Sequence, residues 1–255
     1  MKQLILSKLK QIEEDYNVKI LLAVESGSRA WGFASPDSNY DVRFIYVRPK
    51  NEYLRLDMLR DVIELPINDK LDINGWDLQK TLRLMYKSNP TVFEWFSSPI
   101  VYIETEFADK FREIMTDYFY KKKSLYHYIS MAESNYREYL KGETVRAKNY
   151  FYVLRPVLAC RWILDKSTHP PMLFSELSAA ELPEYLKQDV DNLLSLKMNS
   201  PEIREIPRIN ILNDYLDVSI AEIKDKISEY EENDKGWDKL NDLFLSKLNE
   251  DTINS

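Results

Sequence analysis

The run Glu25-Ser-Gly-Ser-Arg-Ala-Trp-Gly-Phe-Ala-Ser-Pro-Asp-Ser-Asn-Tyr-Asp-Val-Arg43 joins two segments of strand character. Upstream of it, Val18-Lys-Ile-Leu-Leu-Ala-Val24 is a short apolar run that stops at Gly27 and reads as a buried strand. Downstream, residues 40–47 alternate. Tyr40, Val42, Phe44 and Tyr46 share one face, and Asn39, Asp41 and Arg43 share the other. Of the chain's five glycines, Gly27, Gly32 and Gly75 lie within or beside the strands of this first part. Glycine serves where backbone approaches something closely or takes a positive φ. Gly27-Ser28, straight after a strand, therefore reads either as a loop whose N–H groups meet a ligand such as a triphosphate, or as a plain tight turn.

Working outward, residues 1–16 carry Leu4, Ile5, Leu9 and Ile12 at helical spacing. Residues 61–74 read as a hairpin, with Val62-Ile-Glu-Leu65 and Leu71-Asp-Ile73 flanking a turn at Asn68-Asp-Lys70. A helix follows over 77–88 and ends at Asn89-Pro90, because the residue before proline is pushed out of helical geometry. From Asp109 onward the pattern is helical, with breaks at Gly142, at His169-Pro-Pro171 and from Ser200-Pro201 to Pro207. Strands early and helices late predict an α+β protein with two domains, 1–108 and a helical 109–255. The last 25 or so residues, including Glu231-Glu-Asn-Asp234, are polar and are expected to be partly mobile.

Composition narrows the function classes. A chain of 255 residues with 44% hydrophobic and 30% charged residues is that of a globular protein. No apolar stretch approaches the roughly 20 residues of a membrane span, and the N-terminal segment reads as an amphipathic helix, so a cytoplasmic location without a membrane role is expected. One cysteine, Cys160, forbids an intramolecular disulfide, and two histidines, His127 and His169, cannot build a Cys/His zinc cluster. Any catalytic metal must then be held by oxygen. A net charge of −7 argues against a surface that coats nucleic acid throughout, leaving room for a local basic groove. The 17 tyrosines and five tryptophans are read mainly as core, with base stacking as the alternative.

Asp41 lies on a strand 13 residues after Ser28, and Asp72 sits mid-strand between Leu71 and Ile73. Carboxylates planted on central strands are ion-paired or hold a cation, because an isolated buried charge is expensive. Magnesium takes one or two carboxylates plus substrate phosphate oxygens, and two such ions can serve the attacking and leaving oxygens of a phosphoryl displacement. The other reading has both aspartates lining a solvated sheet edge or pairing with Arg29 and Arg43.

The quoted run resembles the signature of the YcgL/RlaP-type predicted nucleotidyltransferases, a branch of the polymerase beta-like superfamily whose pattern is Gly-Ser, a spacer of about ten, then two acidic residues one apart. Residues 72–80, 88–95, 98–102 and 148–156 resemble the same family, and the likeness covers roughly residues 20 to 175. It implies a nucleotidyltransferase core over 1–108 in which Gly27 and Ser28 cradle nucleotide phosphates and Arg29 adds positive charge. Asp41 would be the second metal carboxylate, and Asp72 the third, suited to activating a hydroxyl. The first metal position falls on Asn39, where the family has an aspartate. An asparagine offers a neutral oxygen and no charge, so Mg2+ or Mn2+ would be held mainly by Asp41, Asp72 and substrate phosphates. Asn39 has three readings: a working natural variant, a variant that binds nucleotide without turnover, or a substitution introduced to block catalysis. The implied reaction moves a nucleoside monophosphate from an NTP to a hydroxyl of an RNA end, a protein or a small molecule. A catalytically silent nucleotide-binding module and a defence or toxin-type enzyme modifying RNA or protein are the alternatives.

Lys148, Tyr152 and Arg155 recur at spacings of four and three and share a helical face, which either closes over a nucleotide or is an ordinary salt-bridged surface. Asp77 reads as a helix N-cap or first-turn acid rather than a ligand. Lys80 and Lys121-Lys-Lys123 read as solvated positions, Cys160 as a buried inert thiol, and neither histidine receives a role.

Overall fold

The computed structural model describes residues 1–66, 70–199, 205–231 and 235–253, the side chains of 251–253 excepted. Along the chain the elements are α1 (Lys2–Tyr16), β1 (Lys19–Ser26), α2 (Gly27–Ala30), β2 (Tyr40–Val47), α3 (Lys50–Tyr53), β3 (Val62–Glu64), β4 (Leu71–Asp77), α4 (Leu78–Tyr86), α5 (Pro90–Phe96), β5 (Val101–Glu104), α6 (Glu106–Met115), α7 (Lys121–Tyr139), β6 (Thr144–Arg146), α8 (Ala147–Lys166), α9 (Phe174–Glu181), α10 (Lys187–Met198), β7 (Glu205–Pro207), α11 (Asn210–Ile227) and α12 (Asp238–Ile253). Of the expected turn at 68–70, Asn68 and Asp69 lie outside the described residues, as do residues 200–204 of the expected break and Glu232, Asn233 and Asp234.

The chain packs as two compact units: Met1–Gly27 with Asn39–Tyr118 and Asp234–Ser255, and Ser28–Ser38 with Phe119–Asn233. The first is built on a mixed five-stranded sheet of order β3-β4-β2-β1-β5. β2 pairs antiparallel with β1 and parallel with β4, and β3 closes the expected hairpin antiparallel to β4. Period-two alternation puts Val42, Phe44, Tyr46, Leu71 and Ile73 on one face, where Ile5, Leu9 and Ile12 of α1 cover them. Leu4, one position off that helical stripe, is 48% exposed. On the other face α4 packs on β2, and α5 and α6 pack on β1. Ile45 and Val47 are buried, while Asp41 and Arg43 nearer the strand start are only half-buried. Asp77 caps α4 as expected, accepting the Gln79 N–H at 2.7 Å, and Asn89 caps α5, with Pro90 at its first turn.

Two expectations change. Residues 238–253 form a helix that belongs to the first unit and not to the helical one. Leu240, Leu243 and Leu248 of α12 are buried, Trp237 stacks on Tyr86 at 3.8 Å, and Phe244 meets the Tyr53 ring edge-on at 5.2 Å. Its polar sequence is the solvated outer face of an amphipathic helix. The later half also contains a short antiparallel ribbon, β6 with β7, between helical runs. Five helices, α7 to α11, form the second unit around a core rich in tyrosine and phenylalanine, including Tyr128, Tyr136, Tyr150, Phe151 and Phe174. Tyr150 donates to Asn213 Oδ1 at 2.7 Å and Tyr136 to Asp217 Oδ2 at 2.5 Å, so these buried hydroxyls are satisfied. Among the described residues no helix is long and apolar enough to cross a membrane.

Candidate active site

Parallel pairing of β2 with β4 sets Asp41 directly beside Asp72. Neighbouring strands lie about 4.8 Å apart, so the two carboxylates rise side by side from one face, at the half-open starts of both strands. Arg43, two residues on and on the same face, turns back to them. Its Nη2 donates to Asp72 Oδ2 at 2.6 Å and lies 3.6 Å from Asp41 Oδ1, while Nη1 donates to the carbonyls of Asp72 at 2.9 Å and Val42 at 3.1 Å. The guanidinium thus sits as an internal cation against both aspartates, which is the ion-paired arrangement the sequence left open.

Gly27 shapes the other side of Asp41. A Cβ built on Gly27 would stand 2.1 Å from Asp41 Oδ2, and its φ is +59°. A larger residue would therefore collide with the carboxylate and strain the backbone. Gly75 has a different reason: a Cβ there would enter the Phe44 ring at 2.1 Å.

Glu25, fully buried at the end of β1, holds the start of β2 in place. Its Oε1 accepts the Asp41 N–H at 2.8 Å, its Oε2 accepts from the Tyr102 hydroxyl, and its carbonyl accepts from Ser98 Oγ at 2.6 Å. A buried carboxylate survives on such hydrogen bonds. By its place in the run from 25 to 43 alone, Glu25 carries no assigned role. The signal was an acid continuing an apolar strand run straight after Val24.

As a donor set for a divalent ion, Asp41 and Asp72 supply two carboxylates, and the exposed Asn39, one step before β2, supplies an amide oxygen. Among the described residues no group of three His, Cys, Asp or Glu side chains could hold a metal. Two carboxylates completed by phosphate oxygens suit one magnesium-like ion.

In the second unit, Ser28 and Arg29 begin a hydroxyl-lined loop. Ser28 Oγ donates to Ser38 Oγ at 3.2 Å, Ser38 Oγ accepts the Ser35 N–H at 2.9 Å, and Arg29 Nη2 donates to the Ser38 carbonyl at 2.7 Å. Lys197, 5% exposed, anchors the loop by donating to the Phe33 carbonyl at 2.7 Å. Nothing in the local sequence of Lys197 announced this, since its partner lies 164 residues away. On α8, Lys148 and Tyr152 are half-buried and Arg155 is 4% exposed. The Arg155 guanidinium lies 4.7 Å from the centre of the Trp31 ring, and Tyr152 meets the same ring edge-on at 6.3 Å. The expected face is thus a Trp31-centred group with Arg155 packed beneath the surface. The thiol of Cys160 is fully buried and pushed up by desolvation, which makes it inert, and burial lowers the His169 pKa.

A family model described as RlaP, RNA repair pathway DNA polymerase beta family, matches residues 1–246. The uncharacterized protein YcgL of Bacillus subtilis (strain 168) is 47% identical over 253 residues, covering 98% of this chain and 97% of that one. A solved nucleotidyltransferase-like protein from Exiguobacterium sibiricum 255-15 aligns over 88% of this chain and 75% of that chain, with 13% identity and a TM-score of 0.33.

Proposed function

Because the chain belongs to the RlaP family, the RNA repair pathway DNA polymerase beta family, we propose that it transfers a nucleoside monophosphate from an NTP to a hydroxyl acceptor, an RNA end before a protein or small molecule. The observation that carries this reading is the side-by-side placement of Asp41 and Asp72 on adjacent parallel strands, with Gly27 closely fitted beneath Asp41. Asp41, Asp72 and the Asn39 amide oxygen would hold one Mg2+ or Mn2+. When bound, such an ion supplies positive charge to the triphosphate and the departing pyrophosphate.

The chain's own groups do the remaining work. Asp72 takes the proton of the acceptor hydroxyl, whose oxygen bonds to the α-phosphorus as the bond to pyrophosphate breaks. Arg43 must give up its 2.6 Å contact for Asp72 to act in this way. Gly27, Ser28 and Arg29 serve the phosphates, the last two with a hydroxyl and a guanidinium.

A second reading, a nucleotide-binding module without turnover, is favoured by Asn39 and by the guanidinium that hydrogen-bonds Asp72 and lies beside Asp41. Assays of the chain and of Asn39→Asp with Mg2+ or Mn2+ and each labelled NTP separate the two. The transferase reading expects label in acid-insoluble RNA and a gain of at least tenfold for Asn39→Asp. Absence of transfer by both proteins, with nucleotide binding retained, selects the silent module.

A further inference from the structure

The first unit contains a cavity of about 640 Å3 that the Asp41–Asp72 face does not share. It opens where β2 and β4 end, lined by Arg48 just beyond β2 and by Asp77 at the end of β4. The strand register pairs Tyr46 with Asp77 and Asp41 with Asp72, five residues earlier. At about 3.3 Å per residue this separates the two places by roughly 17 Å along the sheet. Asp77 also follows the alternation of Leu71 and Ile73, so it leaves the sheet on the face opposite to Asp72.

The charges around the cavity are unevenly committed. Arg55 pairs with Asp57 at 2.7 Å and with Glu52 at 3.4 Å, and Lys80 holds Asp61 at 3.1 Å. Asp77 accepts from the Tyr53 hydroxyl at 2.8 Å and the Gln79 N–H at 2.7 Å. Arg60 pairs with Glu64 at 2.5 Å, whereas Arg48 and Arg83 are less occupied. Arg48, whose side chain is 15% exposed, donates to the Arg60 carbonyl at 3.1 Å and lies 3.8 Å from Asp77. The exposed side chain of Arg83, one helical turn beyond Gln79, takes part in no hydrogen bond or ion pair among the described residues. What the lining has to spare is therefore guanidinium N–H, whose planar fork matches the oxygens of a phosphate. Met58, 94% exposed, and Leu59 give part of the lining apolar character. Guanidinium donors, an apolar part of the lining and a volume within the usual range of ligand pockets fit a phosphate joined to a flat apolar group.

We propose that this cavity binds a nucleotide phosphomonoester, free or at the 5′ end of an RNA strand, through Arg83 and Arg48, with the base against Met58 and Leu59. The site stands independently of metal binding at Asp41 and Asp72. The test uses the full chain in EDTA, with 5′-AMP in calorimetry and a fluorescent 5′-phosphorylated oligoribonucleotide in anisotropy titrations. Each is measured with the parent chain, Arg83→Glu, Arg83→Gln and Asp41→Asn. Expected is binding of at least one probe, weakened tenfold or more by Arg83→Glu and less by Arg83→Gln at an unchanged melting temperature, and retained by Asp41→Asn. Binding of 5′-AMP identifies free nucleotide as a ligand, and binding of the oligonucleotide alone identifies a strand end. Equal affinity of Arg83→Glu and the parent, loss on Asp41→Asn instead, or no binding of either probe overturns the proposal. None of these outcomes depends on turnover, so failure here and failure of the transferase reading remain distinguishable.

Discussion

Asp41 is closely surrounded by Gly27, Glu25 and Arg43. Gly27 leaves the volume its carboxylate fills, Glu25 holds its backbone N–H, and Arg43 approaches its Oδ1. Gly27→Ala is expected to cost about 1–3 kcal/mol or more in denaturant unfolding, through the positive φ and the displaced carboxylate together. The Asp41→Ala background should recover part of that loss, since it removes the atom in the way. Arg43 gives a prediction of opposite signs. Replacing it with Met leaves two neighbouring carboxylates without their internal cation, so the melting temperature should fall without metal. If Asp41 and Asp72 bind a divalent ion, Mn2+ should restore the Arg43→Met protein by more than it raises the parent, because an ion that binds the folded state stabilises it by mass action. Equal Mn2+ shifts in the two proteins would count against a metal at this position. The alternation of residues 39–47 made the shared face of Asp41 and Arg43 legible in the sequence. That Arg43 turns back toward both aspartates was not, because β4, which brings Asp72, lies 29 residues away from it.

Elements of this chain are decided by packing partners as much as by their own pattern. The alternation of β2 and the apolar run of β1 fix both strands locally, and Asn89-Pro90 separates α4 from α5. α12 is the contrary case. Its residues look like a polar tail, yet Leu240 is 1% exposed, and α12 packs against α3, α4 and α6. Leu240→Ala is therefore expected to cost about 2–5 kcal/mol, the range for truncating a buried leucine, whereas a mobile tail would show almost no change. Chemical denaturation followed by tryptophan fluorescence reads this directly, since Trp237 stacks on Tyr86 just ahead of the helix.

Across the whole molecule the aromatic content becomes a measurable property. Burial raises the Tyr46 hydroxyl to about 12, with Asp77 adding to the effect and Arg48 opposing it, and burial with the bond to Asp217 raises Tyr136 to about 12. A raised folded-state value means that the neutral form is favoured in the native protein. The stability it contributes is fully present below the unfolded value near 10 and is lost as pH rises through about 12. An absorbance titration should show part of the tyrosine signal, that of Tyr46 and Tyr136, appearing only well above pH 10 as the protein unfolds. One smooth transition at pH 10 with the fold intact would contradict the buried environments of Tyr46 and Tyr136. By itself the sequence determined the family, through the run from Glu25 to Arg43, and the strands β1 to β4 with the helical character of most of the later half, because periodicity, caps and turn residues act within a few positions. Only the tertiary structure decided that β2 and β4 run parallel, that residues 28–38 pack with the later helices under Lys197, and that α12 returns to the helices of the first unit. Each of these joins segments far apart in the chain, and such contacts depend on which buried surfaces fit one another rather than on any local pattern.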